Sequence, residues 1–403
     1  MSKFRLEFKL KQHTPIIHFQ SDQSGATLRA TELKPKLDRF LLENVEGIPF
    51  KENANGSKSL DYKVKIIAES SSEEDIKNKT YFGNMGKNNS DVEFMKSIFS
   101  TNVQIIFHSF NTLILENIKN YFSSFLVINN FGTRQSKGFG GFYLDKSDEN
   151  YLKPLDALKN IDAKYIYAIY RDDSIKIFEH VEVIYPLMKT GINYPDYKKI
   201  DHPKGYTDKH GKIKQIPDPS QGRGERASYY KSYLFQYMLR QSPSIGNEKK
   251  FIKENFFRPD IRVSSDNRDK RYVRAMLGIS DAVEFKDHER KGKIEFISSI
   301  NRFKSPLTFK IIDNALYIIA HDIPKELYNL NFEFTHTFKK ADGTETVSIE
   351  IQTPETFDLV NFLDAFADYF NNELFVNKEI NKENIFDKKI LKAKNTKFVK
   401  VSS

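Results

Sequence analysis

The sequence contains no cysteine and no tryptophan. Without cysteine the chain can form no disulfide framework, thiolate zinc site or cysteine nucleophile, and such a chain suits a reducing compartment. It also has no run of about 18 apolar residues, the length that a membrane-spanning helix needs. The first residues alternate charged and apolar side chains instead of forming the apolar centre of a signal peptide. These absences predict a cytoplasmic protein with no membrane partner.

What is present is an aromatic and basic chain of 403 residues, in which Tyr and Phe supply the 13% aromatic content. That length predicts more than one domain. The formal net charge is +9 and the isoelectric point is near 9.1. Two interpretations of the basic excess stay open. It favours a polyanionic partner, or it reflects the Lys-, Asn- and Ile-rich usage of an AT-rich genome.

The first half of the chain alternates strand and helix patterns in a recognisable order. Period-2 alternation predicts strands, and recurrence at three and four residues predicts helices. The predicted elements are strands at 3–19, 60–68, 103–107 and near 142, and helices at 31–45 and 111–127. Pro35 is placed in the first turn of the first helix, where proline is tolerated, and residues 70–100 are predicted to be an insertion or long loop. The order β-α-β-β-α-β is that of a ferredoxin-like unit, predicted for residues 1–160.

The second half is predicted to be another ferredoxin-like domain, residues 161–403, with a basic loop insertion and helical extensions. The patterns predict a strand at 164–171, helices at 174–190, 229–238 and 354–375, a polar basic stretch at 191–226, and a strand-rich region after Arg271 that begins with 272–279. The lysine-rich segment after 377 is predicted to be a solvated end. The predicted fold class is therefore α+β, with two ferredoxin-like (RRM-like) βαββαβ domains carrying long insertions.

The segment FGTRQSKGFGG, residues 131–141, combines three features that a phosphate-rich single strand requires. Glycines allow close backbone approach and positive φ, cations match phosphate charge, and aromatic rings offer stacking faces. These features are carried by Gly132, Gly138, Gly140 and Gly141, by Arg134 and Lys137, and by Phe131 and Phe139. The segment fits neither a Walker A nor a dinucleotide fingerprint. The alternative is a glycine-rich hairpin with surface charges.

Together with other segments, this loop resembles a known superfamily. Thr14-Pro15 ends the first strand, Lys34 opens the first helix, and the later loop reads G-x-R-x-S-K-G-F-G from Gly132 to Gly140. These motifs resemble the RAMP superfamily of CRISPR-associated proteins. The stretch RFKSPLTFKIIDNALYIIAHDI, residues 302–323, resembles the "SPL" strand pair of the first subunit of the Cmr (type III-B) effector module, which is therefore the most similar member.

The resemblance implies a non-catalytic, RNA-binding subunit of a ribonucleoprotein complex for antiviral defence. Such a subunit engages guide RNA and target RNA near the 3′ end of the guide, and it assembles with other CRISPR effector subunits, including the RAMP backbone subunits. Target cleavage belongs to a different, backbone-forming subunit, and the resemblance implies no metal or organic cofactor for this one. The RNA-binding residues implied or suggested in the matched segments are Lys34, Arg39, Gly132, Arg134, Lys137, Gly138, Phe139 and Gly140.

Basic residues outside the matched segments extend the predicted RNA surface. Arg223 and Arg226 lie in QGRGERASYYKSY, a cationic loop before an aromatic helix, and Arg271 and Arg274 belong to a second basic cluster. A groove lined by such residues would follow a phosphate backbone. The alternative is a solvated loop before a helix whose tyrosines lie in the core.

Besides the RNA-binding subunit, the sequence leaves two other functions open, an endoribonuclease and a protein-interaction scaffold. A sister branch of the superfamily cuts precursor guide RNA with a histidine, since a near-neutral pKa suits proton transfer. His13 and His18 flank the Thr-Pro segment and are the candidates, although on a strand they would point to opposite faces. The third possibility is a protein-interaction scaffold whose charge is incidental.

Overall fold

The structure is a computed structural model. It describes residues 3–17, 27–54, 56–75, 96–170, 177–193, 205–207, 213–215, 229–241, 245, 248–257, 269–279, 293–297, 299–300, 302–340, 343–375, 390–391, 393–394 and 396–400.

The elements of the first half are β1 (Arg5–Gln12), α1 (Ala30–Asn44), β2 (Lys51–Glu52), β3 (Lys58–Ser59), β4 (Lys63–Ile67), β5 (Ser70–Asp75), β6 (Lys96–Thr101), β7 (Val103–His108), α2 (Thr112–Ile128), β8 (Phe142–Leu144) and α3 (Pro154–Lys159). The second half contains β9 (Lys164–Tyr170), α4 (Ile177–Tyr185), β10 (Ile192–Asn193), β11 (Gly205–Thr207), β12 (Ile213–Gln215), β13 (Tyr229–Tyr230), α5 (Tyr233–Leu239), α6 (Glu248–Phe257), β14 (Lys293–Ile297), β15 (Leu307–Ile312), β16 (Ala315–Ala320), β17 (Asn331–Lys340), β18 (Gly343–Gln352), α7 (Leu359–Asp368) and β19 (Thr396–Val399).

The first sheet has four antiparallel strands in the order β4-β7-β1-β8. Alternate residues of β1, including Phe8 and Leu10, are buried, as the period of a half-buried strand requires. They pack with Leu37 of α1 and with Phe122 and Phe125 of α2 in one core. Both helices therefore cover the same face of this sheet.

The second sheet has four antiparallel strands in the order β15-β16-β9-β19. Counted along the chain, each sheet places its strands in the order second, third, first, fourth, with a helix after the first and third strands. Helices α4 and α7 pack in one core with Ile166 of β9 and Ile318 of β16. The antiparallel sheets and few helices are compatible with the predicted α+β class, and β14, β17 and β18 form a further three-stranded sheet.

The second sheet packs its other face against the first half of the chain. Tyr165, Ile312, Tyr317 and Ile319 belong to the core of the first sheet, although all four lie on strands of the second. Because side chains alternate along a strand, the second sheet contributes one face to each core. The two sheets are thus joined by a continuous apolar contact.

Three predicted elements of the sequence are wrong in detail. Pro35 lies inside α1, which begins at Ala30, and not in its first turn. Residues Val273–Leu277 form a 3₁₀ helix where a strand was predicted, and the helix predicted at 229–238 begins at Tyr233 after a short strand. Local pattern cannot separate these cases, because short apolar runs fit several backbone states.

Two segments predicted to be irregular supply strands. The region 70–100 contains β5 and β6, which pair as a hairpin. The segment after 377 ends in β19, which pairs with β9 and buries Phe398 against Phe366 and Phe370. It is therefore the fourth strand of the second sheet and not only a solvated end.

No helix in the described part of the chain combines the length and apolar character needed to cross a membrane.

Candidate nucleic-acid interface

The Thr-Pro segment and the glycine loop, residues 129–141, form one hydrogen-bonded unit. The Thr14 hydroxyl donates to the carbonyl oxygen of Gly138 at 2.6 Å and accepts the N–H of Gly141 at 2.7 Å. The N–H of Gly140 donates to the carbonyl oxygen of Pro15 at 2.8 Å. The two motifs that carry the family resemblance therefore hold each other in place.

The glycines of this loop are needed for contacts within the protein. Gly140 has φ of +69° and Gly132 has φ of +78°, a region that glycine enters without steric cost. A Cβ on Gly140 would overlap the carbonyl of Phe131, and one on Gly132 would overlap that of Ile17. Gly138 also has a positive φ, 91°. The close approach predicted for a ligand is made here by the chain's own backbone.

The aromatic rings of the loop do not offer stacking faces in this structure. Phe131 is 0% exposed and Phe139 is 4% exposed. Phe131 lies against Phe125 and Phe142 in the core of the first sheet. The part of the loop that reaches the surface is the short 3₁₀ turn Gln135–Lys137 and the residue before it, Arg134, which has a left-handed φ of 56°.

Helix α1 supports the loop through Glu32 and Lys36. The Glu32 carboxylate accepts the N–H of Gly132 at 2.9 Å. The Lys36 ammonium donates to the carbonyl of Asn130 and to the side-chain oxygen of Gln135, both at 2.9 Å. Lys36 was not among the predicted residues, because its partners lie about 100 positions away in the sequence.

Lys34, the lysine predicted from the motif, faces another part of the first half. Its ammonium pairs with Asp38 at 2.9 Å, donates to the carbonyl of Leu60 at 2.8 Å and lies 3.8 Å from the centre of the Tyr62 ring. Arg39 lies on the same helix and is exposed. Arg39 lies near Lys304, whose pKa it lowers, whereas Lys34 does not act on that lysine.

Lys304 connects α1 to the segment before β15. Desolvation lowers the pKa of the Lys304 ammonium, and the charges of Lys36 and Arg39 lower that pKa further. Each charge acting on Lys304 is thus another cation. Like charges held together disfavour the protonated form of each member, and a bound anion would relieve that repulsion.

A second group of cations lies where the glycine loop meets α4. The Lys137 ammonium lies 5.2 Å from the centre of the Tyr185 ring. Desolvation lowers its pKa to about 8, with a smaller contribution from Arg134. Lys189 donates to the carbonyls of Leu277 and Gly278 at 2.6 and 3.0 Å, and desolvation, followed by Lys137 and Arg274, lowers its pKa to about 7.

The two groups of cations lie along the junction of the two sheets, and the hydrogen bond from Lys36 to Gln135 connects them. The row, as the term is used below, consists of Arg39, Lys304, Lys36, Arg134, Lys137, Lys189 and Arg274. Glu32 pairs with Lys36 at 2.8 Å, and Glu248 pairs with Arg274 at 3.0 Å. Desolvation lowers the pKa of five members of the row, which are Lys36, Arg134, Lys137, Lys189 and Lys304. A cluster of such cations is a candidate binding site for a polyanion.

The remaining predicted residues lie elsewhere. Arg271 donates hydrogen bonds to Asp269 at 2.6 Å and to Gln352 at 3.0 Å. It is Arg274, three residues later, that lies near Lys189 and belongs to the row. Arg223 and Arg226 lie outside the described residues. Tyr233 and Tyr237 of the aromatic helix are 3% and 6% exposed. Lys189 and Lys304 were not among the predicted RNA-binding residues, because the cations beside them lie far away in the sequence.

His13, the histidine considered for catalysis, is buried beside the β15–β16 turn. Its side chain is 5% exposed, and its Nδ1 accepts the N–H of Asp313 at 3.1 Å. Burial lowers its pKa to about 3 against the opposing effect of Asp313. His13 is therefore neutral at physiological pH and removed from solvent. His18 lies outside the described residues.

Within the described ranges, no group of three or more His, Asp or Glu side chains could hold a metal ion.

Two family models match the chain. One is the Cmr1 N-terminal domain, over residues 3–192, and the other is the Cmr1 C-terminal domain, over residues 229–393. No curated protein matches it. The two matches follow one another along the chain and together cover every strand of the two four-stranded sheets except β19.

Proposed function

The chain belongs to the Cmr1 family of type III-B CRISPR effector subunits, and on that premise we propose that it is a non-catalytic subunit that binds RNA along the cationic row. The observation that carries this proposal is the convergence of cations from both halves of the chain on one junction. Phosphates of a single strand would neutralise charges that now repel each other.

The proposed architecture is a pair of ferredoxin-like domains, approximately residues 1–160 and 161–403. The identical strand order of the two sheets, with helices after the first and third strands, supports it. In this arrangement the row runs between the domains. The glycine loop of the first domain would position Arg134 and Lys137, and the second domain would add Lys189, Arg274 and Lys304.

Within the effector, we assign this subunit to the guide RNA and target RNA near the 3′ end of the guide, beside the RAMP backbone subunits, in antiviral defence. Membership of the Cmr1 family supports assembly with other Cmr subunits. The row consists of Lys and Arg side chains, which suit contacts to the phosphate backbone, so it favours binding that is independent of base sequence.

The non-catalytic assignment is supported by the state of His13. A general base needs access to the 2′-hydroxyl proton and a pKa near the working pH. His13 is buried, hydrogen-bonded to the backbone of Asp313 and has its pKa lowered to about 3. It therefore holds a turn of the second sheet against the end of β1, and RNA cleavage is left to other subunits.

Binding of the full-length chain to single-stranded RNA at several salt concentrations tests the proposal. The triple variant Arg39→Gln, Arg134→Gln, Lys304→Gln should bind more weakly, and its slope of log affinity against log salt should be shallower by roughly 2, since each lost phosphate contact removes roughly 0.7. The matched control replaces the exposed lysines Lys63, Lys65 and Lys119 by Gln and changes the net charge equally.

Equal weakening in the two triple variants would mean that general charge, and not the row, binds RNA. A flat salt response in the wild-type chain would contradict RNA binding and favour the scaffold alternative. A discrete product after incubation with CRISPR repeat RNA and a metal chelator would favour the endoribonuclease alternative. Loss of that product in a His13→Ala variant would then assign the cleavage.

A further inference from the structure

One cation of the glycine loop lies over an aromatic ring from the second half of the chain. The ammonium nitrogen of Lys137 is 5.2 Å from the centre of the ring of Tyr185, the last residue of α4. A cation within about 6 Å of a ring centre is attracted by the negative face of the ring. Lys137 ends the 3₁₀ turn Gln135–Lys137, so this contact joins the glycine loop to a helix that covers the second sheet.

The Tyr185 ring is itself supported by a buried residue of β15. The ring of Phe309 meets it edge-on, with centroids 5.7 Å apart and an angle of 68° between the ring planes. Phe309 is 0% exposed. Its carbonyl oxygen accepts the side-chain N–H of Asn130 at 2.8 Å, and the same side chain donates to the carbonyl of Gln135 at 2.7 Å. One residue of β15 therefore supports both the ring and the glycine loop.

The turn that ends at Lys137 is thus held from two sides. On the side of α1, Lys36 donates to the side-chain oxygen of Gln135 at 2.9 Å. On the side of α4, Lys137 lies over Tyr185. Lys189 follows Tyr185 by four positions and is also a member of the row. The end of α4 and the turn after it therefore carry a cation of the row and the ring that contacts another.

The position of a lysine ammonium matters because the side chain that carries it is long and flexible. An ammonium that is already confined loses less conformational freedom when it binds a phosphate. Contact with a ring engages the positive charge without the use of a hydrogen-bond acceptor. The donors of such an ammonium stay available to phosphate oxygens. A ring beside a cation of the row can therefore increase affinity for RNA without touching the RNA.

We propose that Tyr185 is a positioning residue for RNA binding, whose ring, supported by Phe309, holds the Lys137 ammonium where it contacts a phosphate of the bound strand. The second half of the chain thereby sets the position of a cation that belongs to the first half. This inference rests on the proposed function and adds to it an uncharged residue that acts through Lys137.

A double-mutant cycle on the full-length chain tests this role. Tyr185→Leu should weaken binding of single-stranded RNA about threefold to tenfold and make the salt slope shallower by up to roughly 0.7. Tyr185→Phe keeps the ring and should bind within about twofold of wild type. In a Lys137→Gln background, Tyr185→Leu should cause no further loss, since its effect passes through the lysine.

The matched control is Tyr121→Leu, on α2. Tyr121 and Tyr185 are both half-buried and pack at the boundary of a core. Tyr121→Leu should leave the affinity and the salt slope of the wild-type chain unchanged.

A second measurement needs no RNA. Reductive methylation with ¹³C gives each lysine ammonium an NMR signal and keeps its charge. The signal of Lys137, identified by its absence from Lys137→Arg, should be displaced upfield by the ring current of Tyr185. Tyr185→Leu should move it to the position typical of exposed lysines. A Lys137 signal that is not displaced in the wild-type chain would overturn the inference and leave the proposed function intact.

The remaining outcomes also decide the matter. Wild-type affinity in Tyr185→Leu would overturn the positioning role alone. Equal losses in the Phe and Leu variants would assign the effect to the hydroxyl, and additive losses with Lys137→Gln would show that Tyr185 does not act through the lysine, so either result overturns the inference. No RNA binding by the wild-type chain would overturn the proposed function and this inference together, even with a displaced Lys137 signal.

Discussion

The ammonium of Lys310, on a strand of the second sheet, donates a hydrogen bond of 2.8 Å to the carbonyl oxygen of Phe142, the first residue of β8. A further bond of 2.7 Å reaches the carbonyl of Asn129, at the end of α2. Lys310 is 0% exposed, and burial lowers its pKa well below the ordinary value. One buried lysine therefore satisfies two carbonyls that flank the glycine loop.

Replacing this lysine should destabilise the whole chain and not only the second sheet. Lys310→Ala leaves both carbonyls buried without a donor, and we expect it to lower the free energy of unfolding by about 2–5 kcal/mol. Denaturant unfolding measures the change. Lys397→Ala, at an exposed position of the same sheet, should change the unfolding free energy by less than about 0.5 kcal/mol. Equal losses in the two variants would contradict the role of Lys310.

Two glycines with nearly equal φ separate backbone strain from steric overlap. Gly140 has φ of +69° and Gly47 has φ of +70°, but an added Cβ would overlap the Phe131 carbonyl at Gly140 and meet nothing within 4 Å at Gly47. Gly47→Ala should cost about 1 kcal/mol of unfolding free energy. Gly140→Ala should cost at least about 3 kcal/mol. Thermal and denaturant melts of both variants check this, and similar losses would argue against a tightly closed loop.

The Thr14 hydroxyl should be essential for stability. Thr14→Val keeps the shape of the side chain but leaves the Gly138 carbonyl and the Gly141 N–H without their partner, so the free energy of unfolding should fall by about 1–3 kcal/mol. Thr14→Ser retains the hydroxyl and should stay closer to wild type. Denaturant midpoints at constant m-value provide the comparison. A Val variant as stable as the Ser variant would show that this hydroxyl contributes little.

Lys189 predicts a pH dependence of stability with a definite sign. Its pKa is lowered to about 7 from 10.5, so between these values the unfolded chain binds more protons than the folded chain. Stability therefore rises with pH across that interval. We expect the melting temperature to increase from pH 7 to pH 9 in the wild-type chain and to increase less in Lys189→Met. Lys65→Met, at an exposed position, should retain the wild-type increase, and an unchanged increase in Lys189→Met would contradict the assignment.

Periodicity predicted the strands and helices of the first sheet because its apolar residues face the two helices that cover it. The alternation at Phe8 and Leu10 and the helical spacing of Leu33 and Leu37 both reflect burial, and all four residues are buried. The final strand was missed because KNTKFVK has only two apolar residues, Phe398 and Val399, among its lysines. The burial of Phe398 depends on a partner strand more than 200 positions earlier.

The candidate site was only partly predictable for the same reason. The glycine loop and Arg134 carry a local pattern, so they were identified, together with Lys137. The sequence predicted that Lys34 contributes to the site, but Lys36 is the lysine of α1 that contacts the glycine loop. Both residues lie on the same helix, and only the position of the distant loop decides which of them reaches it. Lys189 and Lys304 acquire their importance through neighbours in space, which no spacing rule encodes.

The pairing of β19 with β9 also bears on how the protein is made. During translation β9 is complete long before residues 396–399 leave the ribosome, so one long edge of the second sheet has no partner while the intervening chain is synthesised. The first sheet closes within residues 5–144 and can form earlier. Contacts of such high sequence separation also slow folding. We therefore expect the second half of the chain to be more exposed to aggregation during synthesis than the first.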